Sequence, residues 1–395
     1  MMRMSRLSIG RWDGSTLVSK SKVILFVVNT AEFFLSHRLS LAVAANAAGY
    51  EVHVATAYCS HVERIRGLGY NFHIIPFARS GQSPFSELKT LLKLVVLFRN
   101  IKPDLVHLIT IKPVLYGGIA ARISGVGAVV SAVSGLGTVF LANSLGAKLR
   151  RLLVKRLYIM AFRQRRLAVI FQNPDDRDTL MATGCLAAAD IHMIRGSGVA
   201  LASYPYLPEP QGKPVVVMAA RLLRDKGVFE FVEAARLLHG RGVEVDMRLI
   251  GSPDPGNPTS VTDKILYRWS QESVVKLLGF RADIAEQYAA ANIVCLPSHR
   301  EGLPKSLVEA AACGRAVLTT DVPGCRDAIS PNVTGLLVPV EDPTALADAI
   351  QYLVERPELR KTMGQAGRLL AIQDFSIEKI VDQHIDIYRE LLAHD

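Results

Sequence analysis

Short apolar, β-branched runs alternate along the chain with segments whose apolar residues recur every three or four positions. The runs are VILFVVN after Lys22, VHVATA after Glu51, LVHLI after Asp104, AVVSAVSG after Gly127 and AVIFQN after Leu167. A second set follows with VVVMAAR after Pro214, DMRLIG after Val245, IVCLPS after Asn292 and AVLTTD after Arg315. Continuous apolar runs suit strands buried on both faces, and their alternation with helices predicts parallel sheets. Between the two sets lies YPYLPEPQGKP, with prolines at 205, 208, 210 and 214, a composition typical of an interdomain connection. At 395 residues the chain exceeds what one core usually supports. The expected organisation is a flexible tail over 1–20, an α/β domain over 21–203, a linker over 204–213, a second α/β domain over 214–375 and a last helix over 376–395. Open doubly wound sheets bind ligands beyond the carboxyl ends of their strands, so a cleft between two such domains is the expected site.

Charge changes the picture. Residues 1–200 hold 25 Lys and Arg against 10 Asp and Glu, a net +15, whereas residues 201–395 hold 21 against 26, a net −5. Much of the excess sits in 145–170, where Lys148, Arg150, Arg151, Lys155, Arg156, Arg163, Arg165 and Arg166 occur without an acid. At helical spacing these fall mainly on one side, with Leu149, Leu153, Leu157, Met160 and Ala161 on the other. The result is a basic amphipathic helix, either a solvated face on a core helix or a surface for anionic lipid or a lipid diphosphate. Few aromatics interleave with the charges, which disfavours nucleic acid. The 25 uncharged residues between Arg122 and Lys148 could span a bilayer by count, but their five glycines fit a buried strand and a turn better. Five scattered cysteines form no CxxC pair, so neither a disulfide framework nor a zinc site is expected. The basic start is followed by an apolar run too short for a signal peptide, and a cytoplasmic protein is expected.

Candidate chemistry concentrates in EGLPKSLVEAAACG, residues 301–314. Pro304 is expected in the first helical turn, leaving amides around Gly302, Leu303, Lys305 and Ser306 free to meet an anion at the helix end. Glu301 and Glu309 would flank a diphosphate placed there and accept hydrogen bonds from hydroxyl groups on either side. A dinucleotide fingerprint is absent, because Phe140 and Leu201 stand where a third glycine would follow Gly135-x-Gly137 and Gly196-x-Gly198. Asp176-Arg177-Asp178 spells DxD, but after Asn173-Pro174 it reads as an acidic first helical turn rather than a metal site.

These segments resemble a family. EGLPKSLVEAAACGRAVLTTDVPGCRD at 301–327, RLLRDKG at 221–227, IRGSGV at 194–199 and FFLSHR at 33–38 are similar to retaining glycosyltransferases of family 4, with the GT-B fold. Within it the chain resembles a bacterial subgroup that builds surface polysaccharide or protein-linked glycans on undecaprenyl diphosphate. The resemblance implies two Rossmann-like domains facing a cleft, with the last helix crossing back to the first. It makes Arg221, Lys226 and Glu301 catalytic, the basic pair holding the donor diphosphate and Glu301 facing the transferred sugar. Glu309 would take the ribose hydroxyls, with Gly302, Leu303, Pro304, Lys305, Gly279 and Phe280 also on the donor side. His37, Arg38, Ser134, Gly135, Gly137 and Arg326 would face the acceptor.

No metal or cofactor is expected, since the Arg/Lys pair replaces a metal and the nucleotide sugar is a co-substrate. With Glu309 assigned to ribose, no carboxylate pair remains for double displacement, which leaves front-side attack. The implied partners are a UDP-sugar, an undecaprenyl-diphosphate-linked acceptor and the inner face of the cell membrane, met through helix 145–170. The chain departs from the family pattern where relatives carry a histidine near Ser134, for which His37 or His107 could substitute. It departs again at Asn29-Thr30-Ala31-Glu32, in place of a glycine pair, and at Ala200, in place of an aspartate. A sugar-nucleotide epimerase and an inactive sugar-nucleotide-binding assembly protein are the alternatives.

Overall fold

The computed structural model describes residues 21–59, 61–77, 83–136 and 145–393, the side chains of 145–150 excepted. The expected tail 1–20 lies outside them. One parallel sheet holds β1 (Val23–Val28), β2 (Glu51–Thr56), β3 (Asn71–Ile74), β4 (Leu105–Ile109), β5 (Ala128–Val133), β6 (Leu167–Phe171) and β7 (Ile191–Met193), in the order β3-β2-β1-β4-β5-β6-β7. A second holds β8 (Val215–Ala219), β9 (Asp246–Ile250), β10 (Lys276–Gly279), β11 (Ile293–Leu296), β12 (Ala316–Thr320) and β13 (Gly335–Val338), in the order β10-β9-β8-β11-β12-β13. Both wind outward from their first strand in the same way. Winding therefore reverses between β1 and β4 and between β8 and β11, where such sheets open a crevice.

Around the first sheet lie α1 (Ala31–His37), α2 (Leu39–Ala47), α3 (Val62–Gly67), α4 (Pro84–Ile101), α5 (Gly118–Ser124), α6 (Leu145–Phe162) and α7 (Pro174–Met181). Around the second lie α8 (Val228–Gly240), α9 (Asp263–Glu272), α10 (Ile284–Ala289), α11 (Lys305–Ala312), α12 (Pro343–Val354) and α13 (Pro357–Asp374). The last helix, α14 (Ile377–Leu392), crosses back as expected, burying Ile380, Ile385, Tyr388 and Leu392 against the first sheet with Ile24, Phe26 and Val130. At the crossing Val199 donates to Phe375 O (2.8 Å) and accepts from Ile377 N (3.0 Å). The 204–213 stretch is pinned to the second domain: Arg360 holds Glu209 at 2.6 Å and Arg315 donates to Leu207 O at 3.0 Å.

One expectation holds and another changes. The uncharged stretch contributes β5, which is fully buried between β4 and β6, and no described helix is long and apolar enough to cross a membrane. In α6 the side turned inward is Tyr158, Ala161 and Phe162, whereas Leu153 and Met160, expected on the apolar side with Ala161, are 59% and 42% exposed.

A polar cluster lies under α14. His107 of β4 is hydrogen-bonded through Nδ1 to Tyr388 Oη (2.5 Å), and His384 Nδ1 donates to Ile380 O (2.7 Å). Burial, then the Arg38 guanidinium, push His384 down to about 3; burial, His384 and Arg38 push His107 well below its usual range. Both are neutral when folded and titrate near 6.5 when unfolded, so their contribution is intact above pH 6.5 and is lost as pH falls from there toward 3. Melting curves between pH 7.5 and 5 should show stability falling by roughly 1 kcal/mol per pH unit for each buried histidine, and His384→Leu should shallow that slope.

Candidate active site

The carboxyl ends of β8 and β11 bring Lys226 and Glu301 together. After β8 the chain passes Arg221, turns tightly over Arg224–Lys226, and reaches Gly227 at φ +76°. A Cβ there would stand 1.9 Å from Pro297 O, so glycine is what lets this loop lie on the one after β11. The contact sets Lys226 Nζ 2.5 Å from Glu301 Oε1, with both side chains largely buried. Arg221 stands apart, exposed and 3.1 Å from Asp254. His299, which sequence reasoning missed, ties the same loops: its N–H donates to Asp225 O (2.9 Å), and its ring meets Glu230 at 3.0 Å, which raises its pKa. A histidine two residues before the first carboxylate was the available signal.

Pro304 does not enter the helix. It caps α11 in an extended conformation (φ −72°, ψ 120°), and its carbonyl accepts the first helical bonds from Leu307 (3.2 Å) and Val308 (3.4 Å). The N–H groups of Lys305 and Ser306 therefore precede the helical ladder at an end that favours anions. Glu309, one turn inside, is buried; it accepts a hydrogen bond from the Tyr204 hydroxyl and lies 3.1 Å from Lys305 Nζ. Burial, then the Glu309 carboxylate, push the Tyr204 phenol above its usual range.

Across the cleft the Glu301–Pro304 turn is packed against the first domain. Gly302 O accepts from Asn173 Nδ2 (2.7 Å), and a Cβ on Gly302 would come within 2.6 Å of Gln172 Oε1 and Ser134 O. Gly135, at φ +108°, abuts the Gly302 amide, and Leu303 reaches Gly196. Arg300 pairs with the fully buried Asp176 at 2.5 Å, which also accepts from Asn173 Nδ2. Asp176 is thus part of the domain contact, while Asp178 pairs with Arg177.

Several acceptor-side expectations need correction. Gly137 lies outside the described residues. His37 ends α1; stacked on Phe33, it is pushed to about 3 by burial and by the charges of Arg38 and Lys305, the latter across the cleft. Arg38 is turned inward, 2% exposed and donating to His37 O, because the helix breaks at this residue and α14 covers it. His107 is buried beneath α14, which leaves His37 as the histidine at the cleft. Arg326 spans Asp175 (3.1 Å) and Asp321 (2.7 Å). Gly279 and Phe280 end the edge strand β10, with Phe280 77% exposed. One described group could hold a metal: Glu32, Cys59 and His61, with ligand atoms within 4.8 Å of one another.

Residues 205–370 match the family model for glycosyl transferases group 1, and residues 23–173 match that for glycosyl transferase 4-like domains. The chain belongs to this glycosyltransferase family. Among curated relatives of this glycosyltransferase, the N,N'-diacetylbacillosaminyl-diphospho-undecaprenol alpha-1,3-N-acetylgalactosaminyltransferase of Campylobacter jejuni is 28% identical over 87% of this chain and 92% of its own. The capsular polysaccharide biosynthesis glycosyltransferase CapM of Staphylococcus aureus is 27% identical over 81% and 85%. In fold, the enzyme resembles sucrose-phosphate synthase of Thermosynechococcus elongatus, with TM-score 0.77 and 22% identity over 95% of this chain and all of that one. It also resembles HepE of Anabaena in complex with UDP and glucose, with TM-score 0.73 and 20% identity over 93% of this chain and all of that one. These relatives lend the epimerase alternative no support.

Arg300→Ala leaves the Asp176 carboxylate buried without its ion pair, and denaturant unfolding should show a loss of about 3 kcal/mol. Combining it with Asp176→Asn should recover much of that loss.

Proposed function

We propose that this glycosyltransferase moves a sugar, with retention, from a UDP-sugar to a saccharide linked to undecaprenyl diphosphate. The observation that carries the reading is the contact of Lys226 with Glu301 at the β8/β11 crevice, beside the open amides at the start of α11. A cation, a carboxylate and a helix end in one place suit a diphosphate bearing a sugar on one side and a ribose on the other. Lys226 and Arg221 take the diphosphate, Glu309 the ribose, and Glu301 a hydroxyl of the transferred sugar. Gly302, Leu303 and Lys305 line the helix end, with Gly279 and Phe280 toward the nucleotide. The names of the Campylobacter and Staphylococcus relatives support a lipid-linked or polysaccharide acceptor, and the UDP complex of HepE supports a uridine donor.

In the reaction the bond from the anomeric carbon to the diphosphate oxygen breaks as a bond to the acceptor oxygen forms on the same face. The acceptor proton passes to the departing diphosphate. Negative charge grows on that group, which is where Lys226 and the helix end act. His37, neutral at working pH, serves the sugar substrates from the first domain, as do Ser134 and Gly135.

Peripheral attachment to the inner face of the membrane completes the reading. α6 supports it with exposed Leu152, Leu153 and Met160 beside exposed Arg156, Arg163 and Arg165. α4, packed beyond α5 on the same side, supports it further: Phe85, Leu88, Leu92 and Val96 form an exposed apolar stripe next to Lys89, Lys93 and Arg99. Such faces bind anionic lipid through apolar insertion and charge together.

Lys226→Ala and Glu309→Ala should each lower sugar transfer from UDP-sugars by about 100-fold or more while the protein stays folded at the assay temperature, and undiminished turnover refutes the assignment. Transfer should continue in EDTA. In vesicle flotation with phosphatidylglycerol, Phe85→Ser with Leu92→Ser should reduce binding, as should Arg156→Gln with Arg163→Gln.

A further inference from the structure

Three side chains of unlike chemistry meet between the first two strand-helix units of the first domain. Glu32 lies in the first turn of α1, where the Thr30 hydroxyl caps the helix by accepting from Phe33 N (3.2 Å). Cys59 follows β2 and packs against the same core as Phe33 and Leu35, and His61 caps the start of α3. The two loops run together, since Ala57 N donates to Asn29 O (3.5 Å). His61 N–H donates in turn to Cys59 Sγ (3.4 Å), which turns the sulfur toward the ring.

One ring nitrogen is the common point. His61 Nδ1 stands 3.4 Å from Glu32 Oε1 and 3.9 Å from Cys59 Sγ, and one ligand atom from each residue lies within 4.8 Å of the others. Tetrahedral zinc, with bonds of about 2.3 Å to sulfur and about 2.1 Å to nitrogen or oxygen, holds such atoms about 3.4 to 3.6 Å apart. Glu32 and His61 are each 42% exposed, so ordinary side-chain rotation closes the remaining difference. The donor set then selects the ion. Magnesium and calcium take oxygen ligands, whereas thiolate, imidazole and carboxylate together suit zinc. Three protein ligands leave the fourth position to water.

We propose that Glu32, Cys59 and His61 form a zinc site that clips the start of α1 to the loop after β2. None of the three is assigned to the donor or the acceptor, so the site stands apart from sugar transfer and does not depend on that reading. The clip steadies a helix whose last residue, His37, stands at the cleft. Glu32 comes from a different strand-helix unit than Cys59 and His61, which is why a search for paired cysteines passes over the set.

The full chain, stripped with EDTA, should take up one zinc with micromolar or tighter affinity in competition with a chromophoric chelator. Saturating zinc should raise its melting temperature by about 3 °C or more. Cobalt in place of zinc should give a thiolate charge-transfer absorption. Cys59→Ser and His61→Ala should each weaken zinc binding by at least about 100-fold, and Cys59→Ser should abolish the cobalt band. Both should melt close to the stripped wild type, because the metal-free group holds only a half-exposed ion pair. Cys185→Ser, at the other half-buried cysteine, should bind zinc as the wild type does. A wild type that takes up no zinc overturns the proposal and leaves an ordinary His61–Glu32 ion pair. So does zinc uptake that persists when Cys59→Ser and His61→Ala are combined.

Discussion

Everything around the cleft depends on the close approach of one turn, Glu301–Pro304, to the ends of β5 and β6. Gly302 has no side chain, and its carbonyl is held by Asn173 across the cleft. The neighbouring Arg300 sits on a carboxylate with no exposure to water. A buried ion pair gives little net stability, but losing either member is costly, so it acts as a register mark. Here the register set is that of one domain against the other. The residue after Arg300 carries the carboxylate that meets Lys226, so the domain contact and the β8/β11 crevice are built from consecutive positions.

The sequence patterns were informative where burial was complete. The nine apolar runs correspond to β1, β2, β4, β5, β6, β8, β9, β11 and β12. The four missed strands, β3, β7, β10 and β13, are the edges of the two sheets. Edge strands are half exposed, and IHM at 191–193 or KLLG at 276–279 lacks the continuous apolar character that marks a central strand.

In the site, the carboxylates and Lys226 were legible because their spacing belongs to one local loop and helix. The partners were not: Tyr204 lies 105 positions from Glu309, and Asp176 lies 124 from Arg300. No local period records such pairs. Arg38 shows the opposite failure. A charged residue beside His37 reads as exposed, yet α14, arriving from the far end of the chain, covers it. α6 misled for a related reason, since helical spacing groups Leu153 with Ala161 but cannot say which edge of the stripe the sheet will cover.

The path of α14 has a mechanical consequence. The backbone passes between the domains twice, once ahead of the pinned 204–213 stretch and once at Phe375–Ile377, and Val199 is hydrogen-bonded to the second passage. Two bodies joined at two nearby points keep one soft degree of freedom, rotation about the line through the joints. Sliding and twisting are resisted by covalent chain. Any opening that admits a sugar nucleotide must swing about that axis, and the same rotation widens the mouth most at the end farthest from α14.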